Sequence, residues 1–243
     1  MKFLTFARRT AREILRDPLN LAFGLGFPVV LLCLLTAIQS GIPVSLFELD
    51  SLTPGIAVFG LSFMTLFSAM LVAKDRSSAL LQRLYTTPLG AKDFILGYMV
   101  PMLPMALGQS ILCYLLAWVL GLELSANVIV AILVNIPTAL VYIAMGLLFG
   151  SILNDKQVGG ICGALLTNLS AWLSGIWFDL DLVGGAFRTI ADLLPFVHAV
   201  ELGRAAFAGN WQAILPHLLW VLGYGTALTA AAVTLFLRQM KRQ

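Results

Sequence analysis

Pro54-Gly-Ile-Ala-Val-Phe-Gly-Leu-Ser-Phe-Met-Thr-Leu-Phe-Ser-Ala-Met-Leu-Val-Ala73 runs for twenty residues without an Asp, Glu, Lys or Arg, and Lys74-Asp75-Arg76 comes at once after it. At 1.5 Å per residue such a run crosses the roughly 30 Å hydrocarbon core of a bilayer as a helix. Five more charge-free runs share its character: Leu19 to Gln39, Phe94 to Leu120, Val128 to Leu153, Val158 to Trp177 and Ile214 to Leu237. A charged side chain at the bilayer centre costs several kcal/mol, so confining charge to the connections, in a chain of mean hydropathy +0.94, predicts an all-α integral membrane protein with six transmembrane helices.

Orientation follows from the basic residues. Thirteen of the fifteen Lys and Arg fall on one side, in the N-terminal segment, the second and fourth connections and the tail, against Arg188 and Arg204 on the other. The positive-inside rule then puts both termini in the cytoplasm. The small net charge of +3 is explained by attraction of that basic face to anionic headgroups, and nothing in it points to nucleic acid. Cys33, Cys113 and Cys162 all lie within spans, as packing residues rather than a disulfide or metal framework. Met1 to Phe6 lacks the pattern of a cleaved signal peptide, so the first span is expected to be retained.

Three segments outside the spans have structure of their own. In residues 1–17, Phe3, Phe6, Ala7, Ala11, Ile14 and Leu15 recur at helical spacing while Arg8, Arg9, Arg12 and Arg16 cover another face, which predicts an interfacial amphipathic helix ended by Asp17-Pro18. A purely topogenic basic tail is the plainer reading. In the cytoplasmic connection, residues 74–93, Leu80, Leu81, Leu84 and Tyr85 share one face of a short helix that stops before Thr87-Pro88. That face either lies on the membrane or enters a groove of another protein. The external connection, residues 178–212, reads as two short helices hinged at Pro195, either a re-entrant pair forming a lid or an interfacial flap.

Polar residues within the spans are few. Gly160, Gly163, Thr167, Ser170 and Ser174 recur at spacings of three and four, with Asn168 beside them, which predicts a small-residue stripe for close helix packing or, less simply, for lining a path. Asn135, Thr138 and Tyr142 form a second stripe, and Ser62, Thr65 and Gln109 stand apart; each is first of all an interhelical hydrogen-bonding residue. His198 and His217 read as separate interfacial residues, since no metal-ligand spacing joins them. No ionisable residue sits deep in a span, which disfavours a proton- or sodium-coupled carrier. No Gly-x-x-x-x-Gly-Lys-Ser/Thr occurs, so ATP hydrolysis is expected on another polypeptide. An ATP-independent channel or carrier is the rival reading, and an intramembrane enzyme a third, with no nucleophile and base in view.

The order of a basic amphipathic N-terminus, Arg16-Asp17-Pro18, Phe27-Pro28, the loop Leu84-Tyr85-Thr86-Thr87-Pro88-Leu89, then Lys92-Asp93-Phe94-Ile95-Leu96-Gly97 and a Pro-containing segment before the last span, resembles the permease subunits of ABC-2 type transporters. The resemblance covers nearly the whole chain. It implies an exporter fold with a coupling helix at about Ser77 to Thr86 that docks on a separate ATPase, and external re-entrant helices. ATPase contacts would then come from Asp75, Leu80, Leu81, Arg83, Leu84, Tyr85, Thr87 and Pro88. Where family members often carry an acidic residue with Gly-Thr-Leu-Glu, this chain has Asp75, Ser78, Ala79, Leu80 and Leu81. The resemblance further implies a homodimer or heterodimer in the bacterial cytoplasmic membrane, no cofactor on this chain, and ATP and Mg used by the partner. Its cargo would be a drug, natural product or lipid-like amphiphile; a polysaccharide or glycolipid is the second choice.

Overall fold

Five helices in the computed structural model, which describes residues 2–78 and 90–241, are long and apolar enough to cross a membrane: Pro18–Gln39, Leu49–Ser77, Ala91–Val119, Asn127–Ile152 and Trp211–Arg238. All regular structure among the described residues is helical. The chain begins with α1 (Lys2–Leu15). The first span joins α2 (Pro18–Leu21), a π-helical stretch (Ala22–Gly26) and α3 (Phe27–Gly41). It starts where it does because Asp17 caps it, accepting from the Asn20 backbone N–H at 3.1 Å, with Pro18 in the first turn. Then come α4 (Leu49–Ser77), α5 (Ala91–Val119) and α6 (Asn127–Ile152).

The apolar run from Val158 to Trp177 does not form a uniform helix. It is built from α7 (Asp155–Val158), an eight-residue π-helical stretch (Gly159–Leu166) and α8 (Thr167–Trp172), and turns away through Gly175 at φ 71°. The wide turn is marked by the Thr167 hydroxyl, which donates to the carbonyl of Cys162, five residues back, at 3.1 Å. Beyond it lie α9 (Leu180–Val183), α10 (Gly185–Leu193), α11 (Pro195–Ala208) and α12 (Trp211–Lys241).

At the centre of the bundle is α4, buried along nearly its whole length from Leu52 to Ala73. Its closest neighbour is α6. A Cβ on Gly146 would strike the Thr65 carbonyl and Ser68 hydroxyl, and one on Gly150 would lie 2.5 Å from the Ala69 carbonyl. These glycines, four apart, let the two backbones touch, and the hydroxyls of Thr65 and Ser68 donate across the seam to the carbonyls of Tyr142 (2.9 Å) and Ile143 (3.2 Å). On its other side α4 carries Phe59, Phe63 and Phe67, which pack in sequence on one another and on Phe27 and Trp177. The first span and α12 sit at the edge, with most of their apolar side chains facing outward.

Two short elements turn inward. The amphipathic α1 lays its apolar face on α5: Phe6 meets Phe94 and Tyr98 edge-on at 5.6 and 4.9 Å, over Gly97, which leaves room for the ring. Leu4 and Leu15 stay exposed. The expected break at Pro195 is present, with Leu194 extended between α10 and α11. Most of α11 is buried against α4, α6 and α12. Arg204 ties it down, donating to the carbonyls of Ser51 (3.3 Å) and Gly175 (3.0 Å), and Gly209 ends it in the left-handed conformation that glycine adopts without penalty.

Candidate functional site

Asp75 lies in the last turns of α4 with only 1% of its surface exposed. A buried carboxylate persists when its charge and lone pairs are met, and both oxygens are. The Arg9 guanidinium donates to each of them, at 2.5 and 2.6 Å, in the two-pronged geometry that makes arginine–carboxylate pairs strong. The Tyr98 hydroxyl adds a third bond at 2.7 Å. Arg9 also pairs with Glu13 (2.7 Å), and Glu13 with Lys74 (2.9 Å). The hydrogen bonds to Asp75 raise the Arg9 pKa, against the opposing effect of burial, so this cation stays charged at any physiological pH.

The next two residues extend the clamp in another direction. Arg76 donates to the carbonyls of Ser151 and Leu153, meeting orphan acceptors at the end of α6 where a cation is favoured. The Ser77 hydroxyl donates to Asp155 at 3.3 Å. Four consecutive residues, Lys74 to Ser77, are thus bonded to α1, α5, α6 and α7. They stand immediately before residues 79–89, which hold Leu80, Leu81, Leu84 and Tyr85 in sequence and lie outside the described residues.

A model of the ABC-2 type transporter family matches residues 1–208. The chain belongs to the ABC-2 type transporter family. It is a multi-pass membrane permease, and a search of curated proteins returned no match to it.

Of the residues read as ATPase contacts in this ABC-2 permease, Asp75 is placed inside the clamp, facing Arg9 and Tyr98 rather than solvent. Leu80, Leu81, Arg83, Leu84, Tyr85, Thr87 and Pro88 lie outside the described residues. Thr65 serves the α4–α6 seam; Ser62 is buried, and its hydroxyl has no partner among the described residues.

The fifth-run stripe divides. Gly160 is exposed and a Cβ there would meet nothing within 4 Å, whereas one on Gly163 would sit 3.3 Å from Leu66. Thr167, Ser170 and Ser174 are buried, Ser170 sharing a 2.8 Å hydrogen bond with the Tyr142 hydroxyl, while Asn168 is exposed and donates to Ala164 in its own helix. The π-helical stretch is the physical reason: each extra residue in a turn rotates the rest of the helix by about 100°, so spacings of three and four no longer mark one face.

The tight contact lies instead at Gly146 and Gly150, a Gly-x-x-x-Gly pair whose spacing alone could have identified it. The aromatic and Met residues of α4 are mostly internal: Phe59, Phe63, Met64 and Phe67 are buried within the chain and only Met70 is open.

The two histidines, read as separate, meet. Their Nδ1 atoms are 3.0 Å apart, one donating and the other accepting, His198 Nε2 is 2.9 Å from the Asp192 carbonyl, and Trp220 stacks on His198 at 4.7 Å. They belong to different helices, and no local pattern announces the pairing. No group of three or more His, Cys, Asp or Glu is arranged for a metal among the described residues.

Proposed function

We propose that this permease is driven by a separate ATP-hydrolysing subunit docked on its 74–93 connection, and that it exports an amphipathic drug, natural product or lipid-like cargo. Six spans, counting the interrupted run from Val158 to Trp177, put both termini and that connection in the cytoplasm of a bacterial cell. The working unit is two such permeases, identical or merely similar, with two ATPase subunits that use ATP and Mg. When ATP closes the ATPase pair, the coupling helices shift and the spans move as rigid bodies to open a path between the halves.

The clamp at Lys74 to Ser77 is the observation that carries this reading. A loop that only linked two spans would need no buried, doubly bonded carboxylate at its root. One that receives a mechanical input does, because force is passed on only where the attachment does not yield. Packing of α11 among α4, α6 and α12 supports its role as a re-entrant outer element.

The test is Leu84→Asp, which puts an unpaired charge on the proposed docking face. The variant should insert normally but lose its ATP-binding-cassette partner on co-purification. Retention of both the partner and cargo-stimulated ATP hydrolysis would overturn the assignment. Single cysteines at Asp50 and Asp181, in a background without native cysteines, should react with an impermeant reagent from outside intact cells, and one at Ser77 should not.

A further inference from the structure

Beside the clamp, a cavity of about 770 Å³ opens between α1, the start of the first span, α4 and α5. Its floor is apolar, made by Phe67, Met70 and Leu71 of α4 with Met102 and Met105 of α5. Two of these floor residues, Phe67 and Met105, also pack on Gly24 of the first span, where a Cβ would strike both. Its rim is charged, and most of those charges are already committed. Arg9 is held by Asp75 and Glu13, Lys74 by Glu13, Asp17 by the first turn of α2, and Asp155 accepts from Ser77.

Arg12 and Arg16 are the exceptions. They line the cavity, are exposed, and have no acidic partner among the described residues. Arg12 stands in the last turn of α1 and Arg16 just past its end, where the Arg16 N–H still donates to the Arg12 carbonyl at 3.2 Å. That spacing of four makes them neighbours, and like charges so placed repel unless an anion lies between them.

We propose that this cavity binds a membrane glycerophospholipid, with its phosphate between Arg12 and Arg16 and the first part of an acyl chain on Phe67, Met70 and Met105. Planar guanidinium groups match a phosphate's oxygens in a way that a point charge does not. Basic pockets between membrane helices at the cytoplasmic face are suited to phospholipid headgroups. Methionine and phenylalanine offer an adaptable, uncharged bed for a chain that has no hydrogen bonds to make. The same lipid would brace α1 against α4 next to Asp75, so its occupancy bears on how firmly the clamp is held. Only the assignment of this face to the inner leaflet rests on the topology proposed above.

The experiment uses the full-length chain, stripped of lipid in detergent micelles, with binding of added phosphatidylglycerol read by native mass spectrometry. One tightly held lipid per chain is expected. The double variant Arg12→Gln/Arg16→Gln should weaken it by about tenfold or more, the scale of losing charge-assisted hydrogen bonds, while Lys92→Gln, at the exposed start of α5, should not. Met70→Trp, which fills the floor without touching the arginines, should weaken it as well. Diacylglycerol with the same chains, and inorganic phosphate alone, should bind far more weakly. Equal binding by diacylglycerol, or undiminished phosphatidylglycerol binding in both variants, overturns the proposal. Because no ATPase is present, either result is independent of the docking assignment at Leu84.

Discussion

The α4–α6 seam and the charged end of α4 hold the same helix by opposite means. At the seam there is no charge: Gly146 and Gly150 remove side chains so that backbones touch, and two hydroxyls bond across. At the end, a buried carboxylate collects Arg9 and Tyr98, and the next residue caps α6. In a bilayer, apolar surface gains little by leaving lipid for protein, so the middle of a helix is positioned by close fit. Near the headgroups water and ions are available, and attachment by charge becomes workable. The contrast suits a rigid centre with a grip at one end.

The sharpest way to break the seam is Gly146→Leu. Its new side chain would meet backbone that cannot move aside, and overpacking of this kind costs about 3 kcal/mol. The variant should be recovered from membranes in much lower yield, with an unfolding midpoint in detergent well below that of the unaltered chain. A near-normal midpoint would show that the seam tolerates separation.

Breaking the grip should cost less. Arg9→Gln leaves the Asp75 carboxylate buried with Tyr98 alone; removing one partner of a buried pair costs about 3 to 5 kcal/mol, and since Arg9 is 37% exposed about 2 kcal/mol is expected here. Replacing both members, Arg9→Leu with Asp75→Leu, should recover much of that stability, because no charge is then stranded. If the proposed transmission holds, the double variant should still fail to couple ATP hydrolysis to cargo. Thermal unfolding and cargo-stimulated hydrolysis, measured on the same preparations, separate the two effects.

The smallest effect is expected at Gly160, which belongs to neither region. With open space around its Cβ position, Gly160→Ala should be neutral or stabilise by about 0.5 kcal/mol through reduced backbone entropy. A marked loss of assembly on this change would assign Gly160 to a contact with another subunit.

Legibility in the sequence tracks the range of the interaction. The apolar runs mark all five long helices, and the Pro195 break and the amphipathic α1 are visible because hydropathy and proline act locally. The stripe from Gly160 to Ser174 is legible in part: Gly163 meets Leu66, and Thr167, Ser170 and Ser174 are buried. Gly160 is exposed, because the spacing assumes an α-helical turn and the π-helical stretch changes the turn. Gly146 and Gly150 are readable as a spacing, though a shorter and less conspicuous one than that stripe. The meeting of Arg9 with Asp75, sixty-six positions apart, has no local signature.

By itself the sequence determined that this chain is a helical membrane protein and where its long helices run, since a bilayer sorts residues by composition along one dimension. Its motif order also indicated the ABC-2 family. Only the tertiary structure decided which charges meet, which glycines touch, and that His198 faces His217. Those contacts join side chains far apart in the chain, and their partners are chosen by how helices pack against each other, an outcome of the whole bundle that no single segment specifies.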